Sequence, residues 1–161
     1  RREMMETGRI LIVDDDESIR SMLSDYFAGF GHEVATASDG EDALRKFVPG
    51  RFDCVISDLM MPKMDGLELL KRIRMQDSLV FFLMITGFPD INSAVNAIKE
   101  GAYDYVNKPF HLEDLRIKVE RILSSRRTKK SLKTMTGLLW GLILSIPIWL
   151  ILGIILGIIW K

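Results

Sequence analysis

The sequence predicts an α/β protein with a doubly wound, five-stranded parallel sheet and five helices, followed by a C-terminal transmembrane helix. Three observations support this fold class. Five short apolar runs alternate with five amphipathic stretches, which is typical of repeated βα units. The fourth run, SLVFFLMIT, is apolar at nearly every position, as expected for a strand that is covered on both faces. Residues 134–160 carry no charge, and a run of this length can cross a bilayer.

The first part of the chain contains two predicted strand–helix pairs. The run RILIV predicts a strand that ends at three consecutive acids. The apolar residues that follow have the spacing of one helix face: Ile19, Met22, Leu23, Tyr26 and Phe27. The segment GFGHEVATAS predicts a turn and a short strand. In DGEDALRKFVPG we expect a helix with Asp39 as its N-cap and Pro49-Gly50 as its stop.

The next part repeats this alternation three times. FDCVIS predicts the third strand, and MDGLELLKRIRMQ predicts a helix because its apolar residues recur at helical spacing. The apolar fourth strand is followed by DINSAVNAIKEGA, a helix that should end at Gly101. YDYVNKPF predicts a fifth strand that runs into a loop, and LEDLRIKVERIL predicts the last helix of the sheet-containing body.

Charge and cysteine content limit the class of protein. All 22 Asp and Glu residues lie at or before Glu120, whereas six of the 22 Lys and Arg residues lie after residue 123. The chain therefore has an acidic body and a basic, apolar tail, which need separate interpretations. Cys54 is the single cysteine, and this excludes an internal disulfide framework and a cysteine-rich metal site.

Polar side chains stand where the predicted strands end. Asp14 and Asp15 follow the first strand, and Asp58 ends the third. Thr86 ends the fourth strand and Lys108 ends the fifth. Because the carboxyl ends of parallel strands line one crevice, we expect these five side chains to meet there.

Clustered carboxylates need a compensating cation, and Mg²⁺ prefers carboxylate and phosphoryl oxygens. A carboxylate nucleophile with a metal, a lysine and a hydroxyl is suited to phosphoryl transfer.

The residues around these positions resemble a known family. The blocks ILIVDDDESIR, VISDLMMPKMDG, MITGF and AYDYVNKPF are similar to those of the CheY-like receiver domains of two-component response regulators, and they occur in the same order. The resemblance covers residues 9–123. The stretch GFPDINSAVNAIKEGAYDYVNKPF is most similar to the receivers of enhancer-binding transcription activators.

The resemblance implies a phosphorylation site with a metal. Asp58 would accept a phosphoryl group from the phosphohistidine of a sensor histidine kinase. Mg²⁺ is the implied cofactor, and its ligands would be Asp14, Asp15, Asp58 and the backbone carbonyl of Met60. Asp16, the third acid of the run, is expected to support the start of the next helix instead.

The resemblance also implies a conformational switch. Thr86 would bond the phosphoryl oxygens once they arrive, and Lys108 would pair first with Asp58 and then with the phosphate. Tyr105 would be the switch aromatic, which turns inward as Thr86 moves. Pro109 matches a proline that commonly follows a cis peptide bond in this family.

The tail predicts attachment to a membrane. We expect an N-terminal extension, a receiver domain, a basic juxtamembrane linker and a transmembrane helix at residues 1–8, 9–123, 124–133 and 134–161. Five cations in the linker SSRRTKKSLK indicate its cytoplasmic side. The prediction is a single pass through the inner (cytoplasmic) membrane, with the receiver domain in the cytoplasm. A buried helix or a hairpin packed on the receiver is the alternative.

Two glycine pairs in the tail, Gly137 with Gly141 and Gly153 with Gly157, have the spacing that lets membrane helices approach closely. They predict a homodimer, although glycine is also common in apolar runs by composition alone.

Together these features predict a membrane-tethered phosphorylation switch. It is not expected to be an enzyme beyond catalysing its own Mg²⁺-dependent phosphorylation and dephosphorylation. It would act through a downstream protein, which the sequence does not identify, and without direct contact with nucleic acid. Two alternatives stay open. One is a docking module that recruits a partner to the membrane without being phosphorylated, and the other is a phosphate sink with no output.

Overall fold

The computed structural model describes residues 7–87 and 90–125, and within them five strands alternate with five helices. Strands β1 to β5 are Arg9–Val13, Glu33–Ala37, Cys54–Asp58, Phe81–Thr86 and Asp104–Asn107. Helices α1 to α4 are Glu17–Gly29, Gly40–Lys46, Gly66–Gln76 and Ile91–Lys99. Helix α5 covers residues 112–125 of the described chain.

The five strands form one parallel sheet in the order β2-β1-β3-β4-β5. Successive residues of a strand point to opposite faces, so each strand supplies two layers of the core. In β1, Leu11 packs in the cluster that contains Leu70 of α3, whereas Ile12 packs in the cluster that contains Phe27 of α1. Helices α2 to α4 therefore cover one face, and α1 and α5 cover the other. The predicted doubly wound five-stranded sheet is confirmed.

Aspartates begin the first four helices. The N-cap residues of α1 to α4 are Asp16, Asp39, Asp65 and Asp90. Each carboxylate accepts a hydrogen bond from a backbone N–H of the first turn, which is otherwise without a helical partner. Such a cap stabilises a helix by about 1 kcal/mol. The expected capping roles of Asp16 and Asp39 are confirmed.

Helix α2 ends earlier than its pattern predicts, whereas α4 ends beside the glycine that its pattern predicts. Helix α2 ends at Lys46 and not at Pro49-Gly50, because Phe47 turns into extended backbone and is buried in the core, with 5% exposure. Helix α4 ends at Lys99. Gly101 follows it with a φ of 98°, the left-handed conformation that favours glycine and completes the helix end.

The predictions for the C-terminal tail and for most of the N-terminal extension concern residues that the structure does not describe. Among residues 7–87 and 90–125, no helix is both long enough and apolar enough to cross a membrane. The predicted transmembrane helix at 134–161 and its glycine pairs lie outside the described residues. The same holds for the linker after residue 125 and for residues 1–6 of the N-terminal extension.

His32 is a buried titratable residue just before β2, with 5% exposure. Its Nδ1 atom accepts a hydrogen bond from the backbone N–H of Gly8 at 3.1 Å, which requires the neutral ring. Its Nε2 atom has no hydrogen-bond partner among the described residues. Burial lowers the pKa of His32 below its ordinary value, although the charge of Glu120 opposes this change.

We expect the free energy of unfolding to decrease as the pH falls below about 6.5, because the unfolded chain then binds a proton that the folded His32 resists. In His32→Gln this part of the pH dependence should disappear, since glutamine keeps an oxygen acceptor for Gly8 and does not titrate. Urea unfolding at about pH 7.5 and about pH 5.5 measures the effect. The control His111→Gln, at an exposed position, should keep the wild-type pH dependence. An unchanged dependence in His32→Gln would contradict the prediction.

Candidate functional site

Strand β1 delivers two acids to the carboxyl edge of the sheet. Asp14 is buried, with 2% exposure, whereas Asp15 is exposed. The Oδ1 atom of Asp14 accepts the backbone N–H of Asp16 at 2.9 Å. The guanidinium of Arg20, in the first turn of α1, donates to the backbone carbonyl of Asp14 at 2.8 Å and to that of Asp15 at 3.0 Å. Helix α1 therefore fixes the backbone that carries both carboxylates.

Strand β3 delivers a third acid, Asp58, to the same edge. Every residue of β3 is buried, and Asp58 is 7% exposed. Its Oδ1 atom accepts the backbone N–H of Leu59 at 2.8 Å. Helix α3 begins in close contact with this strand end. A Cβ on Gly66 would lie only 2.2 Å from the backbone oxygen of Asp58, so only glycine fits there. The carboxylate is thus held on a rigid, closely packed backbone.

The three carboxylates form one cluster. Ligand oxygens of Asp14, Asp15 and Asp58 lie within 4.8 Å of one another. Three negative charges at this spacing repel each other unless a cation compensates them. Mg²⁺ takes a few carboxylate oxygens and keeps several waters, which needs a site that is partly open to solvent. Asp14 and Asp58 are buried and Asp15 is exposed, so the cluster meets that requirement and its carboxylates fit Mg²⁺.

Lys108 supplies a protein cation to the cluster. Its Nζ atom lies 2.8 Å from Oδ2 of Asp14 and 3.1 Å from Oδ2 of Asp58, and its side chain is 20% exposed. Burial lowers the pKa of Lys108, but hydrogen bonds with the two carboxylates outweigh burial and raise it. The side chain is therefore an ammonium at neutral pH. Burial raises the pKa of Asp58, Lys108 opposes this change, and the charge of Asp14 adds to it.

Thr86 and Lys108 are held together by neighbouring strands. Thr86 ends β4 with no exposed surface. The backbone N–H of Lys108, which follows β5, donates to the carbonyl of Thr86 at 2.6 Å. The peptide bond between Lys108 and Pro109 is cis, as the resemblance implied. The ends of β4 and β5 thus place a hydroxyl and an ammonium at the carboxyl edge.

Two further predicted residues lie beside this edge. Tyr105 is paired with Met84 in the β4–β5 register and is half-buried against the core under α2 to α4. Met60 follows Asp58 by two residues and is 56% exposed. The switch role of Tyr105 and the ligand role of the Met60 carbonyl stay predictions.

The sequence pattern missed the contacts of two cations near this edge. Arg20 lies six residues after Asp14, and its position one helical turn beyond the acidic run could have indicated it. Lys63 forms an ion pair with Asp39 at 2.7 Å. The partners are 24 residues apart and lie in different loops, so no local pattern indicates this contact.

The geometry suits attack by a carboxylate on phosphorus. Asp58 presents a buried oxygen next to an ammonium, and a metal bound at the cluster would add a second positive charge. Phosphoryl transfer requires neutralised phosphoryl oxygens and correct placement more than it requires proton transfer by the protein. Because Asp14, Asp58 and Thr86 are buried, electrostatic interactions with them are stronger than in bulk solvent.

Comparisons with known proteins agree with this chemistry. The family model for the response regulator receiver domain matches residues 10–120. The chain is similar to the regulatory protein AtoC of Escherichia coli strain K12, with 38% identity over 147 residues that cover 88% of this chain and 32% of AtoC. The DNA-binding transcriptional regulator NtrC of the same strain is 38% identical over 120 residues, which cover 74% of this chain and 26% of NtrC. The chain spans about a third or less of the length of these two relatives.

A solved structure shows the same architecture. The chemotaxis protein CheY4 of Vibrio cholerae is 38% identical and superimposes with a TM-score of 0.68. The match covers 73% of this chain and 99% of CheY4.

Proposed function

The chain belongs to the response regulator receiver domain family, whose members are phosphorylated on an aspartate by histidine kinases, and from this premise we propose that Asp58 is its phosphoacceptor. A carboxylate oxygen of Asp58 forms a bond to phosphorus as the bond from phosphorus to the phosphohistidine nitrogen of a sensor kinase breaks. Asp14, Asp15, Asp58 and the Met60 carbonyl would hold Mg²⁺. When bound, this ion neutralises charge on the phosphoryl oxygens.

The contact of Lys108 with both Asp14 and Asp58 is the observation that carries this proposal. An ammonium has three N–H donors. Lys108 can therefore keep its hydrogen bond to Asp14 while it turns from Asp58 to an incoming phosphoryl oxygen. It balances negative charge before the reaction and after it, which a purely structural ion pair on the surface does not need to do.

The output of the reaction is a change of surface. Phosphorylated Asp58 places new acceptor oxygens beside the end of β4, where the hydroxyl of Thr86 can donate to them. Movement of Thr86 leaves room for the half-buried ring of Tyr105 to turn inward. A local charge change then biases a two-state surface that a downstream protein reads.

We also propose that the C-terminal tail anchors the receiver domain to a membrane. Residues 134–160 carry no charge, and the basic segment 124–133 precedes them, which favours a single pass with the receiver domain in the cytoplasm. Glycine pairs in the span support pairing of two copies. Membranes washed with alkaline carbonate should retain the full chain. Complete release into the wash would contradict the tether.

Incubation with acetyl phosphate and MgCl₂, followed by intact mass measurement, tests the proposed function. Wild-type protein should gain one phosphoryl group, and Asp58→Ala should gain none. Omission of Mg²⁺ should also prevent the gain. Absence of a phosphoryl group on wild-type protein would favour the docking module. Rapid gain and loss without any phosphorylation-dependent partner would favour the phosphate sink.

Met60 leads to a prediction about the lifetime of the phosphorylated state. The resemblance places this position beside the phosphoryl group, where a polar side chain can help to position the water that hydrolyses it. A thioether cannot do so, and we expect slow hydrolysis in the wild type. Met60→Glu should shorten the lifetime of the phosphoryl group, measured as loss of the added mass with time after acetyl phosphate is removed. An unchanged lifetime would contradict this role for position 60.

A further inference from the structure

A tight loop at residues 60–65 joins the phosphoacceptor to α3. The backbone N–H of Gly66 donates to the carbonyl of Leu59 at 2.9 Å, and this bond closes the base of the loop. Because Leu59 follows Asp58 directly, any shift of the 60–65 loop changes the position of the Met60 carbonyl relative to the carboxylate cluster.

The middle of the 60–65 loop is strained. Lys63 has a φ of 66°, and among the described residues it is the one non-glycine residue with a positive φ. The backbone N–H of Met64 donates to the carbonyl of Pro62 at 2.8 Å, so Lys63 is the central residue of a γ-turn. A γ-turn with positive φ at its centre is rare, because the Cβ atom approaches the backbone too closely. Backbone strain of this kind persists where surrounding contacts enforce it.

The contact that can enforce it is the ion pair between Lys63 and Asp39. The Nζ–Oδ2 distance is 2.7 Å. The Asp39 side chain is only 6% exposed, and its Oδ1 atom accepts the backbone N–H of Asp42 at 2.8 Å as the N-cap of α2. The anchor is therefore a fixed point of the fold, whereas the Lys63 side chain that reaches it is 60% exposed.

A second contact shows that the loop sits closely on the start of α2. A Cβ on Gly40, the residue after Asp39, would lie 2.8 Å from the backbone oxygen of Met64. The loop backbone is thus pressed against the helix N-terminus at the residue next to Lys63. Both contacts join the 60–65 loop to the start of α2.

We propose that the Lys63–Asp39 ion pair is a latch that holds the strained 60–65 loop on α2 and thereby sets the position of the Met60 carbonyl at the metal cluster. Lys63 is then a positioning residue for Mg²⁺ binding. This inference rests on the proposed function, since it takes the Met60 carbonyl as a ligand. The Lys63 end of this ion pair is 60% exposed, so solvent screens the interaction and its contribution to global stability is small. The latch therefore acts mainly on local geometry.

A latch role and a purely electrostatic role of Lys63 predict opposite changes in Mg²⁺ affinity when the lysine is replaced. Lys63 carries a positive charge in the loop that follows Asp58, and a charge that acted only at a distance would repel Mg²⁺. Removal of that charge would then strengthen Mg²⁺ binding. Loss of a latch instead weakens Mg²⁺ binding, because one oxygen ligand is no longer held in place. The direction of the change therefore identifies the role of Lys63.

Calorimetric titration of the full chain with MgCl₂, in a mild non-ionic detergent, makes this comparison. Lys63→Met should weaken Mg²⁺ binding by about tenfold, the size expected when a partner that orients a metal ligand is lost. Lys63→Arg should bind Mg²⁺ nearly as the wild type does, because it preserves the ion pair. Lys63→Gly should lie between them, since glycine adopts the turn without strain.

Two further variants make the result specific, one that should leave Mg²⁺ affinity unchanged and one that should lower it. Lys71→Met removes a lysine that pairs with Glu100 on the surface of α3, and it should leave Mg²⁺ affinity unchanged. Asp39→Asn keeps an N-cap residue and loses the charge, so it should weaken Mg²⁺ binding as Lys63→Met does. Thermal unfolding of each variant checks that the fold is retained.

Unchanged or tighter Mg²⁺ binding in Lys63→Met would overturn the latch while leaving the proposed function intact. Failure of the wild-type chain to bind Mg²⁺ would overturn the proposed function and the latch with it. Weaker binding in Lys63→Met and Asp39→Asn, with recovery in Lys63→Arg, is the result that supports the latch.

Discussion

Lys108→Met is expected to slow phosphorylation of the chain by about a hundredfold or more while it strengthens Mg²⁺ binding. Lys108 contacts Asp14 and Asp58 at 2.8 and 3.1 Å. Without the ammonium, the phosphoryl oxygens lose a fixed hydrogen-bond donor that would stabilise the charge developing on them. The three carboxylates also lose their protein counterion, so they attract a divalent cation more strongly.

Rates of phosphoryl gain from acetyl phosphate at saturating Mg²⁺, together with calorimetric Mg²⁺ titrations, measure both effects. Lys118→Met is the matched control. Lys118 pairs with Asp104 of β5 and is similarly half-buried, but it does not contact the carboxylate cluster. The control should keep the wild-type rate and Mg²⁺ affinity. A normal rate in Lys108→Met, or weaker Mg²⁺ binding, would contradict the role assigned to Lys108.

Gly66→Ala is expected to damage both stability and phosphorylation. The added Cβ would lie 2.2 Å from the backbone oxygen of Asp58 and 3.0 Å from the Cα atom of Leu59. These are backbone atoms and cannot rotate away, so the start of α3 and the end of β3 must separate. Overpacking of this kind typically reduces the free energy of unfolding by about 1–3 kcal/mol. The displaced backbone carries Asp58, and phosphorylation should therefore slow as well.

Gly29→Ala is the control for this substitution. Gly29 ends α1, and a Cβ there would meet no atom within 4 Å. Alanine at a compatible helical position should leave stability unchanged or raise it by about 0.5–1 kcal/mol. Urea unfolding of both variants gives the two changes in free energy. Equal stabilities of Gly66→Ala and Gly29→Ala would show that the close approach at Asp58 is not rigid.

The sheet and its acidic edge could be predicted because their signals are local. The fourth strand is apolar on both faces, and capping residues such as Asp39 directly precede their helices. Parallel topology then brings Asp14 and Asp58 to one edge, even though they are far apart in the chain. Once the strands are recognised, their carboxyl ends can only lie side by side.

The features that could not be predicted depend on contacts between distant segments. Helix α2 ends at Lys46 because Phe47 is buried under the sheet, and no residue near Phe47 signals that burial. The ion pair between Lys63 and Asp39 joins two loops, and the positive φ of Lys63 has no glycine or asparagine to indicate it. Local sequence propensity predicts the helices and strands. Contacts between distant segments determine where a helix ends and which side chains hold its neighbouring loops in place.

The position of the phosphoryl group decides whether Asp58 is the phosphoacceptor. Protein treated with acetyl phosphate and MgCl₂ can be reduced with borohydride, which converts an acyl phosphate into an alcohol and leaves homoserine where the aspartyl phosphate was. Peptide mass mapping then locates the altered residue. We expect homoserine at position 58 and at no other aspartate. Homoserine at Asp14 or Asp15, or none in the whole chain, would contradict this prediction.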